Sequence, residues 1–250
     1  MLREHMKKFY SPSSTVACFC GSFDREKIIS LCKRFFGSPV SVNELPPLSK
    51  AEFCTGVHIF DKKTEQNQIA IGFSAPSLES DSRFASQLIA SMLGGSASSR
   101  LFRRLREEQG LVYSVDAGAM SFLSAGVFAV TMGVSRESEK KAVLAAAEVL
   151  REFPDTVTEN ELDLARSHYL SGLIMSLESN SVRASRYGTG ELLLGGAISE
   201  KELEEKIRNV GIDEIRTLAR SFSSLSDACI CAVGKTAGTK FYNKVVSAGK

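Results

Sequence analysis

Net charge is the first thing this 250-residue chain lacks. Its 31 Lys and Arg almost balance 29 Asp and Glu, and so small and dispersed a surplus excludes the basic face of a nucleic-acid or membrane-surface binder. No run reaches the roughly 18 apolar residues of a membrane span. Met1-Leu2-Arg3-Glu4-His5 is not followed by the apolar stretch of a secretory signal. The chain therefore reads as soluble and intracellular. Histidine is scarce: His5, His58 and His168 are too widely spaced for any two to meet by local geometry, so no metal ligand is expected among them. Six cysteines are present without a disulfide framework. Cys18/Cys20 and Cys229/Cys231 lie in apolar, β-prone runs where thiols act as small hydrophobes, no His or third Cys stands near either pair in the sequence, and Cys32 and Cys54 carry no pattern.

What is present is an ordinary globular composition, 43% apolar and 24% charged. Leu2, Met6 and Phe9 at helical spacing predict a helix over 2–10, stopped at Ser11-Pro12-Ser13-Ser14, and Val16 to Cys20 predicts a strand. A helix follows at about 24–35. Residues 38–55 read as a linker, because Pro39, Pro46 and Pro47 rule out a helix or a central strand. Strands are then expected at 56–60 and 67–74, helices at 80–93 and 100–109, and a strand pair at 111–118 and 126–134. Helices at 136–152, 158–178, 181–194 and 200–221, broken at Gly211, lead to a closing strand at 227–233. Early and late strands around a helical stretch indicate an α+β fold with a largely antiparallel sheet packed on helices. The run Ala17-Cys18-Phe19-Cys20 recurs as Ala228-Cys229-Ile230-Cys231, as if the chain held the end of one repeat and all of the next.

The stretch from Leu93 to Val115 carries the most information. On an α-helix Arg103 faces Glu107 and Arg104 faces Glu108, which explains both as surface pairs. Arg106 has no acid three or four residues away. Its guanidinium is left to reach water over the core or to meet a carbonyl or carboxylate from elsewhere. Tyr113 alternates with Leu111 and Val115, the pattern of a core aromatic, yet it follows Arg106 across the Gly110 turn and the two can converge. Gly94-Gly95-Ser96 before a helix can hold an anion or permit a close backbone approach. It lacks the lysine and spacing of a nucleotide loop.

Gly94-Gly95-Ser96-x-Ser98-Ser99-Arg100-Leu101-Phe102, followed by Leu105-Arg106-Glu107-x-x-Gly110-Leu111-x-Tyr113-Ser114-Val115, resembles the C-terminal half of insulinase and mitochondrial processing peptidase-like zinc metallopeptidases. The resemblance covers nearly the whole chain, including Phe9-Tyr10-Ser11-Pro12 and Phe35-Phe36-Gly37. It implies that residues 1–37 end a first α+β domain, that 56–235 form a complete second one, and that 236–250 are a tail. It also implies that Arg106 and Tyr113 bind the backbone of an extended peptide, with Gly94, Gly95 and Ser96 as further candidates. No catalytic residue and no metal ligand is expected in this chain, because the family's H-x-x-E-H motif is absent. Zinc is expected in a missing catalytic half. The implied partners are a peptide or protein substrate and a catalytic half or homologous subunit, with no nucleic acid and no membrane. The implied location is the cytoplasm, with the mitochondrial matrix as the alternative. The family also contains non-catalytic assembly subunits, which is the second role the resemblance implies.

Overall fold

The computed structural model describes residues 1–11, 14–37, 49 and 51–248, so most of the expected linker lies outside the described residues. The elements in order are α1 (Leu2–Phe9), α2 (Arg25–Phe36), β1 (Gly56–Asp61), β2 (Asn67–Ala75), α3 (Arg83–Gly94), a π-helix (Phe102–Glu108), β3 (Val112–Ser121), β4 (Gly126–Val134), α4 (Glu139–Thr156), α5 (Glu159–Ser176), α6 (Asn180–Leu194), α7 (Glu200–Asn209), α8 (Ile212–Arg220), β5 (Cys229–Gly234) and α9 (Thr239–Ala248). The α+β class and the largely antiparallel sheet are as expected. The strand order is β1-β5-β2-β4-β3, and only β1 and β5 run parallel.

The chain forms two compact units, Met1–Ser49 with Ser171–Leu203, and Lys50–Leu170 with Glu204–Lys250. In the second unit the strands' period of two divides the residues between two faces. Ile69, Ile71 and Phe73 of β2, Val115 and Ala117 of β3, Phe128, Val130 and Met132 of β4, and Ile230 and Ala232 of β5 are all buried. Leu88, Ile89 and Leu93 of α3 and Val143, Ala146 and Leu150 of α4 are buried with them. Phe222, just past α8, stacks on Phe128 with ring centroids 4.5 Å apart. Burying one such ring stabilises the fold by about 2–3 kcal/mol. On the opposite face, the outward residues Ala70, Gly72, Ala129, Thr131, Asp116 and Gly118 are half-buried or exposed.

The segment expected to be a C-terminal tail instead contains α9. Glu139, at the start of α4 and wholly buried, holds it. The carboxylate accepts bonds from Asn67 Nδ2 (2.8 Å), from the Ala237 amide (2.9 Å) and from the Tyr242 hydroxyl (2.6 Å). A charge taken out of water must be answered by such donors. Burial, and then the bond to Glu139, push the Tyr242 phenol far above its ordinary pKa.

In the first unit no residue of α1, α2 or α6 is buried. The expected strand over 16–20 is not a strand. Cys18 approaches Gly188 of α6, and Cys20 Sγ donates to Asn180 Oδ1 at 3.5 Å. Of the two similar cysteine runs only 228–231 enters a sheet, where β1 and β2 satisfy its backbone from both sides. A strand needs such neighbours to exist.

Candidate substrate-binding site

The π-helix, β3 and the turn between them build the candidate site. Leu101 and Leu105 are wholly buried and fix which side of the helix faces the core. At its start the Arg100 guanidinium grips Glu161 of α5 with both arms, Nε to Oε1 at 2.7 Å and Nη2 to Oε2 at 2.8 Å. The guanidinium also lies over the Phe153 ring, 5.0 Å from its centroid. Burial alone would raise the Glu161 pKa; the Arg100 bond and the Thr158 amide outweigh it and hold the carboxyl below its ordinary value. At the far end the Leu111 amide donates to the Leu105 carbonyl (2.8 Å), and Gly110 turns the chain at φ +59, a conformation that favours glycine. Sequence spacing gave no sign of the Arg100–Glu161 clamp, because its partners are 61 residues apart.

The expected α-helix over 100–109 is therefore π-helical for most of its length. A π turn holds an additional residue, and such turns concentrate at functional sites. The Arg104–Glu108 pair persists at 3.4 Å. Arg106, which no acid on its own helix answers, turns to backbone carbonyls: Nη1 donates to the Val112 oxygen at 2.9 Å and to the Tyr113 oxygen. Among the described residues its Nε and Nη2 make no further bond, and the side chain is exposed. One nitrogen thus anchors the guanidinium while the rest of its donor fork faces outward.

Tyr113 departs from the strict alternation its sequence suggests. Val112 pairs with Val134 and Ser114 with Gly133, so Tyr113 is the additional residue of a β-bulge in an edge strand. The bulge lets Val112 and Val115, three apart, both be buried, while Tyr113 is 56% exposed. It is not a core aromatic. Bulges re-aim side chains in this way and recur beside active sites. The Arg106 guanidinium is in direct contact with the backbone carbonyl of Tyr113 across the turn.

Gly94, Gly95 and Ser96 lie before the opposite end of that helix, so the candidate residues form two places. Gly94 is buried, and a Cβ built on it would stand 2.1 Å from the Ala117 amide nitrogen, so glycine is needed there for α3 to approach β3. Gly95 caps α3, its amide donating to the Ser91 carbonyl at 3.2 Å. Ser96 bonds the Ser98 hydroxyl at 3.0 Å and lines a cleft of about 270 Å³ shared with Ser99, Glu161 and His168.

Among the described residues no group of three or more His, Cys, Asp or Glu could hold a metal ion. Cys54 does come near Cys229, which sequence spacing hid. Burial, and then Cys231 and Cys54, push the Cys229 thiol up. No helix of the described residues is long and apolar enough to cross a membrane.

The helix-backed, largely antiparallel five-stranded sheet sets the fold class within which the comparisons with known proteins fall. The chain belongs to the family of the peptidase M16 inactive domain, which matches residues 1–169. It is 30% identical over 220 residues to the uncharacterized zinc protease YmxG of Bacillus subtilis, covering 88% of this chain and 54% of that protein. The M16 inactive domain of Pseudomonas fluorescens shares the fold with a TM-score of 0.72 at 18% identity, over 87% of this chain and 52% of the other. A chain of Complex III2 from Candida albicans, with Inz-5 bound, superposes with a TM-score of 0.78 at 18% identity, over 90% and 57% respectively. The chain spans about half the length of the curated relatives it matches.

Proposed function

We propose that this chain is the substrate-chamber half of a zinc-dependent endopeptidase, in which Arg106 and Tyr113 bind the backbone of an extended peptide while the zinc site lies on a catalytic half supplied by other polypeptide. Residues 1–37 then end a first domain of which the remainder belongs to that half. The observation that carries the reading is the pairing of a π-helix with an edge-strand bulge, which together present a half-anchored guanidinium and an exposed phenol. The Nε and Nη2 donors of Arg106 and the Tyr113 hydroxyl suit the carbonyls of a peptide and the charge that develops as its bond is attacked. A cytoplasmic location accords with the bacterial relatives.

The test is to mix the chain with a family member's catalytic half bearing H-x-x-E-H and follow cleavage of a quenched-fluorescent peptide. Arg106→Ala and Tyr113→Phe are expected to lower kcat/KM by roughly 10²-fold, about 2.7 kcal/mol of barrier, the scale of removing one preorganised donor. Turnover unchanged by either substitution refutes the assignment. A second reading, a non-catalytic assembly subunit, draws support from the superposition on a chain of Complex III2. It requires a stable complex on size exclusion and no zinc-dependent hydrolysis with any partner.

A further inference from the structure

The turn between α3 and the π-helix and one face of α5 border a cleft of about 270 Å³, near the small end of the range for ligand pockets. Ser96, Ser98 and Ser99 line it from the turn, and Glu161, Leu164 and His168, which share one helical face, line it from α5. Ser99 is 2% exposed. Its amide donates to the Ser96 carbonyl at 3.1 Å and its carbonyl accepts from the Arg103 amide at 2.9 Å, but its hydroxyl has no partner among the described residues. A hydroxyl taken out of water and left unbonded carries a desolvation penalty, and such groups are rare enough in folded proteins to need an explanation. Two neighbours on the same cleft also have unused capacity. The Ser96 and Ser98 hydroxyls share one bond at 3.0 Å, which leaves one of their two protons to donate. Glu161 Oε2 is filled by Arg100 and by the amide and hydroxyl of Thr158, whereas Oε1 accepts from Arg100 Nε alone among the described residues, so a carboxylate lone pair stays open. Leu164, 71% exposed, adds an apolar face.

We propose that this cleft is a binding site for a small, uncharged polyol of up to monosaccharide size, its hydroxyls bonded to Ser99 Oγ, to the Ser96–Ser98 pair and to Glu161 Oε1, and its C–H face laid on Leu164. Serine hydroxyls both give and take hydrogen bonds, which matches a ligand whose own polar groups are hydroxyls. An anion is disfavoured, because a carboxylate lines the cleft and no lysine or arginine does; the Arg100 guanidinium is spent on Glu161 and Thr156. A hydrocarbon is disfavoured because it leaves the Ser99 hydroxyl unanswered. The site lies at the opposite end of the π-helix from the Gly110 turn, and it stands whether or not Arg106 and Tyr113 bind a peptide.

The experiment is saturation-transfer difference NMR on the full 250-residue chain with glycerol, myo-inositol and glucose, and with glucuronate as the anionic counterpart of glucose. Transfer to at least one of the neutral polyols is expected, with millimolar affinity, and several-fold weaker binding of glucuronate than of glucose. Ser99→Ala is expected to weaken polyol binding roughly fivefold while raising the Tm of the ligand-free chain, because it removes the unanswered hydroxyl. Leu164→Glu, at an exposed position, is expected to weaken binding several-fold with Tm unchanged, and it keeps the test decisive should Ser99→Ala disturb the turn. No transfer to any of the neutral polyols, wild-type affinity in both variants, or tighter binding of glucuronate than of glucose each overturns the assignment.

Discussion

Glu139 shows how much one side chain can hold. Its carboxylate joins α4, the start of β2 and the turn into α9 through Asn67, the Ala237 amide and Tyr242. Glu139→Ala leaves the Tyr242 hydroxyl and the Ala237 amide without their acceptor and Asn67 Nδ2 with only the Lys235 carbonyl, and an expected loss of about 3–5 kcal/mol lowers Tm by roughly 10 °C. Tyr242→Phe removes one donor from a carboxylate that keeps two others, so calorimetry should find about 1–2 kcal/mol. Glu161 yields a pH prediction. Its folded pKa lies below the unfolded value, so its stabilisation is complete above pH ~4.5 and fades as pH falls through the folded pKa. Glu161→Gln should therefore flatten the acid side of a Tm-against-pH curve and leave its shape above pH ~6 unchanged. At this scale the sequence was informative about Arg106, whose missing acid was visible in the helical spacing. It was silent on Glu139, Arg100 and the Cys54–Cys229 neighbourhood, because their partners are distant along the chain and only the sheet brings them together.

Among the elements, the helix and the strand around Gly110 were legible in place and misread in kind. A π turn and an α turn have nearly the same apolar pattern over two turns, Leu101 and Leu105 serving either. A bulge is written in no single residue, since it follows from how β3 must register against β4. The strand at 16–20 illustrates the opposite case: β-prone residues remain irregular when no neighbour offers a ladder. α9 went unrecognised because its anchor, Tyr242, is answered by a carboxylate 103 residues away. Glycine gives a prediction here. Gly94→Ala forces a Cβ into the Asp116–Ala117 backbone, and overpacking against main chain should cost about 3 kcal/mol in chemical denaturation. The contrast with Gly118, where a Cβ would meet no heavy atom within 4 Å, checks that α3 is seated on β3 by close approach.

At the level of the whole molecule the two units differ in how far they bury their own apolar groups. Lys50–Leu170 with Glu204–Lys250 contains the sheet and its core. In the other unit Leu2 is 77% and Met6 54% exposed, and Phe35 and Phe36 are exposed as well. Apolar side chains left in water favour association. Light scattering is expected to find concentration-dependent association of the chain alone, reduced on adding a catalytic half; a chain that stays monomeric at high concentration speaks against a partner for these helices.

The position of β5 has its own consequence. It is the last of the sheet's five strands in chain order, yet it lies between β1 and β2, so neither can acquire its final neighbour until residues 229–234 have been made. The sheet therefore cannot be finished before β5 arrives. Closing a loop of more than 150 residues between β1 and β5 is expected to be the slow step of maturation, and a nascent chain released early would present an unfilled slot to any passing strand.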